Sequence, residues 1–171
     1  MQSGLIAKHV GVWTPLKLGV ILLVFAAGCS RSAPPAASTT GEGYAPGLGE
    51  IMTLQQMRHT KLWLAGEARN WALASYEIKE LQEGFDDVMK FHPTHEGAPV
   101  APKDAIPRMI TVPLTQLQEA VDKKDAAAFA EAYDRITLAC NECHEATNFG
   151  FNKVQRPAAN PYPNQVFSPS R

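Results

Sequence analysis

The stretch from Asp125 to His144 reads DAAAFAEAYDRITLACNECH, and two patterns overlap in it. Asp125 is suited to cap a helix, because its carboxylate can accept from the free amides of a first turn. Behind it Phe129, Ala132 with Tyr133, Ile136, Cys140 and Cys143 recur at steps of three and four, the spacing of a single helical stripe. The two cysteines therefore continue a face that points toward a core. His144 follows Cys140 by four residues, so Cys140, Cys143 and His144 leave the helix on one side.

The same periodicity extends upstream. After Asn70, a suitable N-cap, the residues Trp71, Ala74, Ile78, Leu81, Phe85 and Val88 predict a helix running to about Lys90. A helix is also predicted from Leu48 to about Gly66. Its large side chains spread over two sides, Met52, His59 and Trp63 on one and Leu54, Met57 and Leu64 on the other, which predicts enclosure from several directions. Between Phe91 and Pro113 the prolines at 93, 99, 102, 107 and 113 remove amide donors and restrict their predecessors, so a long extended connection is expected. Pro113 then opens a helix over residues 114–123, with Leu117 and Val121 inward and Lys123 and Lys124 at its carbonyl end. No segment alternates with the period of a strand. The expected fold class is all-α: a four-helix bundle of two helical hairpins joined by a long Pro-rich connection, with an irregular C-terminal tail.

The first residues have a different character. A weakly basic start carrying Lys8 and Lys17 leads into an apolar run from Leu18 to Ala27, too short to span a bilayer and closed by small residues, which reads as an export signal over residues 1–28. The ending Ala26-Ala27-Gly28-Cys29 resembles the lipobox of bacterial lipoproteins, with Ala26 where Leu is commoner; that resemblance implies a lipid on Cys29. Residues 29–47 lack large apolar side chains and are expected to form a flexible tether. A helical domain over residues 48–151 and a tail over residues 152–171 complete the expected organisation. Of 16 basic residues, Lys8 and Lys17 precede Cys29, leaving 14 against 17 acidic residues and a net charge of −3, which disfavours a nucleic-acid partner.

With Cys29 assigned to lipid, Cys140 and Cys143 remain as a local pair in poor disulfide geometry. The spacing Cys-x-x-Cys-His is the attachment signature of c-type haem. Each thiol can add across a porphyrin vinyl group while the His144 imidazole ligates iron from the same side. Export agrees with this reading, since haem is coupled to such motifs after translocation. The rival is a zinc site in which His92 and His95 join Cys140 and Cys143 as a Cys2His2 set, an arrangement that leaves His144 unexplained.

No Met or His follows His144, so a residue facing the iron from the other side must come from upstream. A helical domain with its haem motif on the last helix resembles the class II cytochromes c, the cytochrome c-prime and cytochrome c-556 group, over about residues 48–145. The resemblance implies haem within a four-helix bundle, faced by a residue of the first helix. A Met there implies a six-coordinate electron carrier, and an apolar residue implies open iron that takes small gases. The chain departs from the group in the 27 residues that follow His144.

His59 is the first candidate for the opposite ligand, Met52 the second, and Met57 points elsewhere on a regular helix; an open or water-bound iron is the alternative. His59 half-exposed beside Gln55 and Gln56, and His92 and His95 solvated in the connection, are the plainer readings of those side chains. The tail, with Phe149, Phe151, Tyr162 and Phe167 among prolines, is expected to lie across the domain and shield the haem edge, with Lys153 and Arg156 balancing the propionates. The functional expectation is a monohaem cytochrome c in the periplasm or cell envelope, transferring single electrons. Its expected partners are redox proteins, the membrane through the lipid anchor, and a second copy of the chain. The alternative function is a gas-binding or sensing haem protein. No constellation of acid, base and nucleophile points to an enzyme.

Overall fold

Residues 43–169 are described in the computed structural model; the expected signal, Cys29 with its expected lipid, and the tether as far as residue 42 lie outside the described residues. Among the described residues five helices follow one another: α1 (Leu48–Glu67), α2 (Trp71–Phe91), α3 (Pro102–Met109), α4 (Thr111–Asp122) and α5 (Ala126–Ala146). The described residues contain no strand, so the fold is all-α. Among these helices none is long and apolar enough to cross a membrane.

Two tight turns of the same construction join α1 to α2 and α4 to α5. After α1, Arg69 adopts a left-handed conformation at φ 56°; its amide donates to the Gly66 carbonyl at 2.9 Å and the Asn70 amide to Ala65 at 2.8 Å. These two bonds satisfy carbonyls that a helix end leaves free. The Asn70 side chain then accepts from the Leu73 amide at 3.2 Å, so one residue closes α1 and opens α2. At the second turn Lys124 is left-handed at φ 54°, with Lys124 donating to Val121 at 2.9 Å and Asp125 to Ala120 at 3.1 Å. The Asp125 carboxylate caps α5 by accepting from Ala127 and Ala128 at 3.0 and 3.1 Å.

The stripes read from the sequence are the buried faces. On α2, Ala74, Ile78, Leu81, Phe85 and Val88 are buried and Trp71 is partly so; on α5, Phe129, Ala132, Tyr133 and Ile136 are buried. Leu117 and Val121 of α4 join them, with Leu114 and Ala120.

α1 differs from its expectation. Its buried residues are Ile51, Gln55, His59, Leu62, Trp63, Ala65 and Gly66, one broad stripe, with Leu64 partly buried against the core and Leu54 exposed. The polar members of that stripe are satisfied inside. Gln55 donates to the Leu81 carbonyl of α2 at 2.8 Å and accepts from Arg58 at 2.9 Å, and Arg58 reaches Glu80 at 3.1 Å. Gly84 of α2 permits this approach, since a Cβ there would overlap the Gln55 side chain. Gly66 does the same for α5, because the Phe129 ring lies where its Cβ would be.

The connection between α2 and α4 also departs from expectation. Residues 92–101 are irregular, α3 occupies the second half, and Ile110 alone joins α3 to α4. Pro102 is the first residue of α3, where a missing amide costs nothing, and α4 begins at Thr111, with Pro113 inside its first turn. Pro107 lies within α3 and removes one hydrogen bond, in a helix that packs against α2, α4 and α5.

α1 and α5 run antiparallel. Trp63 packs over Phe129 and Tyr133, with ring centroids 6.1 and 4.8 Å apart, whereas His59, a turn earlier on α1, meets Tyr133 at 4.6 Å and Thr137. Advancing along α1 thus retreats along α5.

Beyond α5 the chain is irregular, as expected, and is fixed at several points. Arg156 forms a bidentate pair with Asp134, both contacts at 2.7 Å, donates to the Ala130 carbonyl at 3.1 Å, and lies 4.1 Å over the Trp63 ring. Phe167 is buried in the same core as the helices.

Candidate functional site

A cavity of about 320 Å³ opens between the N-terminal half of α1 and the C-terminal end of α5. Apolar walls come from α2 and α3, notably Leu81, Phe85, Val88 and Ile106. Cys140, Cys143 and His144 line it together, with Met52 and His59 from α1.

Burial raises the pKa of both thiols, that of Cys140 to about 12, which keeps them protonated. They are not joined in a disulfide. His144 sits at the cavity mouth with its Nδ1 2.7 Å from the carbonyl oxygen of Asn152 in the tail. A carbonyl only accepts, so in the neutral ring Nδ1 carries the proton and Nε2 keeps its lone pair. That is the form in which an imidazole binds a metal.

His59 is buried, not half-exposed, and both ring nitrogens are engaged. Thr137 gives its hydroxyl proton to the Tyr133 carbonyl at 2.8 Å, so toward His59 it accepts, from Nε2–H at 2.8 Å. The single Tyr133 hydroxyl proton is then shared between two acceptors, His59 Nδ1 at 3.0 Å and the His59 carbonyl at 2.9 Å. Burial lowers the His59 pKa to about 4, so the ring is neutral.

The register of α1 and α5 sets the heights of the candidates. His59 is level with Thr137. Seven residues toward the start of α1 lead to Met52, and seven toward the end of α5 lead to His144. Seven residues are two helical turns on one face, about 10 Å of rise. Met52, partly buried, is thus level with His144, and His59 lies two turns deeper. Met57 does not line the cavity.

The remaining candidates are dispersed. His92 reaches the Pro46 carbonyl at 2.8 Å, outside the cavity. His95, expected to be solvated, lines the cavity wall and packs against Phe149 at 5.3 Å between ring centroids. The Cys2His2 set is not assembled: among the described residues no three His, Cys, Asp or Glu side chains converge on one point. Lys153 is 3.0 Å from Glu145, and Arg156 is committed to Asp134, so these two cations already have carboxylate partners.

Two protonated thiols, an imidazole with its Nδ1 engaged, a thioether and apolar walls line this one cavity, and these are the residues that could hold a covalently attached porphyrin. No family model, curated protein or solved structure matches the chain.

Proposed function

We propose that the chain is a monohaem c-type cytochrome, resembling the class II group, that passes single electrons in the bacterial envelope. The observation that carries this reading is the convergence of Cys140, Cys143, His144 and Met52 on one apolar cavity. Haem bound there would supply a one-electron iron couple, reduced by one partner protein and reoxidised by another. A four-helix bundle of α1, α2, α4 and α5, with α3 added beside it, is supported by contacts that close a ring: α1 on α2, α2 on α4, α4 on α5 and α5 on α1.

In this reading Cys140 and Cys143 would carry the thioether links, and His144 and Met52 would hold the iron. Met52 is preferred over His59 because of its height in the bundle and because the His59 nitrogens are already bonded to Thr137 and Tyr133. His59 is assigned to the inner wall. The apolar side chains exclude water and so limit reorganisation around the changing charge. Delivery through the signal at residues 1–28 and a lipid on Cys29 completes the proposal.

Optical spectra of protein matured in the periplasm, in both redox states and with carbon monoxide, test it. The expected result is a low-spin c-type spectrum insensitive to carbon monoxide. Met52→Ala is expected to become high-spin and bind the gas, and His59→Gln to stay low-spin. A colourless product with free thiols would refute the haem assignment. Rapid binding of carbon monoxide by the unaltered protein would instead favour the gas-binding function.

A further inference from the structure

Three consecutive residues of the tail are pinned to the C-terminal part of α5, on and just beyond the motif. The Asn152 carbonyl meets His144 Nδ1 at 2.7 Å, Lys153 Nζ meets Glu145 at 3.0 Å, and Val154 is held by Asn141 through both its backbone groups. The Val154 amide donates to Asn141 Oδ1 at 2.8 Å, and Asn141 Nδ2 donates to the Val154 carbonyl at 3.0 Å. Asn152 lies only two residues before Val154, and Asn141 and His144 are three apart on α5, neighbours on one face, so seating Val154 on Asn141 keeps the Asn152 carbonyl beside His144.

The three contacts differ in strength. Lys153 and Glu145 are exposed, and exposed pairs contribute little. Asn141 is partly buried, and its amide completes two hydrogen bonds of good geometry at once.

We propose that Asn141, inside the Cys-x-x-Cys-His motif, is a positioning residue that fixes the tautomer and orientation of His144 by holding Val154, and with it the Asn152 carbonyl, against α5. This rests on the haem reading for its consequence at iron. A ligating imidazole whose other N–H donates to a carbonyl is the stronger electron donor, which favours the ferric state and lowers the midpoint potential. The Asn141 side chain is bonded to Val154 and not to His144, so it acts through the tail.

Two measurements on Asn141→Ala separate this role from a merely structural one. In the haem-loaded protein, spectroelectrochemistry is expected to show the midpoint potential shifted upward. In a haem-free chain carrying Cys140→Ser and Cys143→Ser, nitrogen-15 spectra of neutral His144 are expected to show the Nδ1–H tautomer, and adding Asn141→Ala is expected to shift it toward the Nε2–H form that free imidazoles prefer. The Arg156 and Phe167 anchors of the tail do not involve Asn141, so the tail is expected to stay on the domain in these variants. If Asn141→Ala does not fold, Val154→Pro deletes one of the two bonds from the other partner and should move both readouts the same way.

An unchanged tautomer population in the haem-free chain overturns the proposal, as does an unchanged potential in the loaded protein. A colourless parent protein would refute the haem reading by absorbance alone, while the tautomer measurement, which needs no haem, still decides whether Asn141 positions His144.

Discussion

Protonating His59 would place a charge in an enclosed site where Thr137 and Tyr133 already occupy both ring nitrogens, and burial accordingly lowers its pKa to about 4. The unfolded chain takes up that proton near the ordinary imidazole value of about 6.5. Between those two values the unfolded state binds a proton that the native state refuses, so stability falls as pH drops from about 6.5 toward 4 and levels off below. The loss from this residue is about 3 kcal/mol. Denaturant titrations at pH 7 and pH 4 are expected to show that difference, and His59→Gln is expected to remove most of it. Little of this was legible in the chain. Met52, His59 and Trp63 do share a side of α1, but Gln55 in the buried line was not foreseen, because its acceptor is a carbonyl of α2. A polar residue's burial depends on a partner that only tertiary structure supplies.

The turns between helices were far more legible, since Asn70 and Asp125 cap by local chemistry that their residue types announce. The left-handed residues before them were not, because Arg69 and Lys124 occupy a conformation usually given to Gly. Lys124→Gly is expected to raise stability by about 1 kcal/mol by relieving that conformation. Asp125→Ala is expected to cost about 1 kcal/mol through the lost cap. Midpoints of chemical unfolding check both. Gly66→Ala is expected to lower the same midpoint by about 1–3 kcal/mol, since the new methyl group must displace the Phe129 ring. α3 escaped prediction because its prolines read as breakers. Pro102 sits at the one helical position that welcomes it, and packing on three neighbouring helices compensates for Pro107.

Across the chain as a whole, the tail belongs to the core that the helices build. Phe167→Ala is expected to destabilise the protein by about 3 kcal/mol and to expose residues 152–169 to limited proteolysis. The sequence shows the motif and the stripe that carries it, yet the cavity, the role of His95 in its wall and the common height of Met52 and His144 depend on the register of α1 against α5, which no local pattern encodes. That register also has a consequence in time. Each hairpin joins helices adjacent in sequence, whereas His59 and Thr137 meet across 78 positions, and distant pairings form late because a long loop must first be closed. The wall carried by α1 is therefore expected to be the last to arrive, leaving α5 with one side open to solvent during assembly. A prosthetic group held only by packing could dissociate in that interval, whereas one bonded to α5 would remain with the chain until α1 docks.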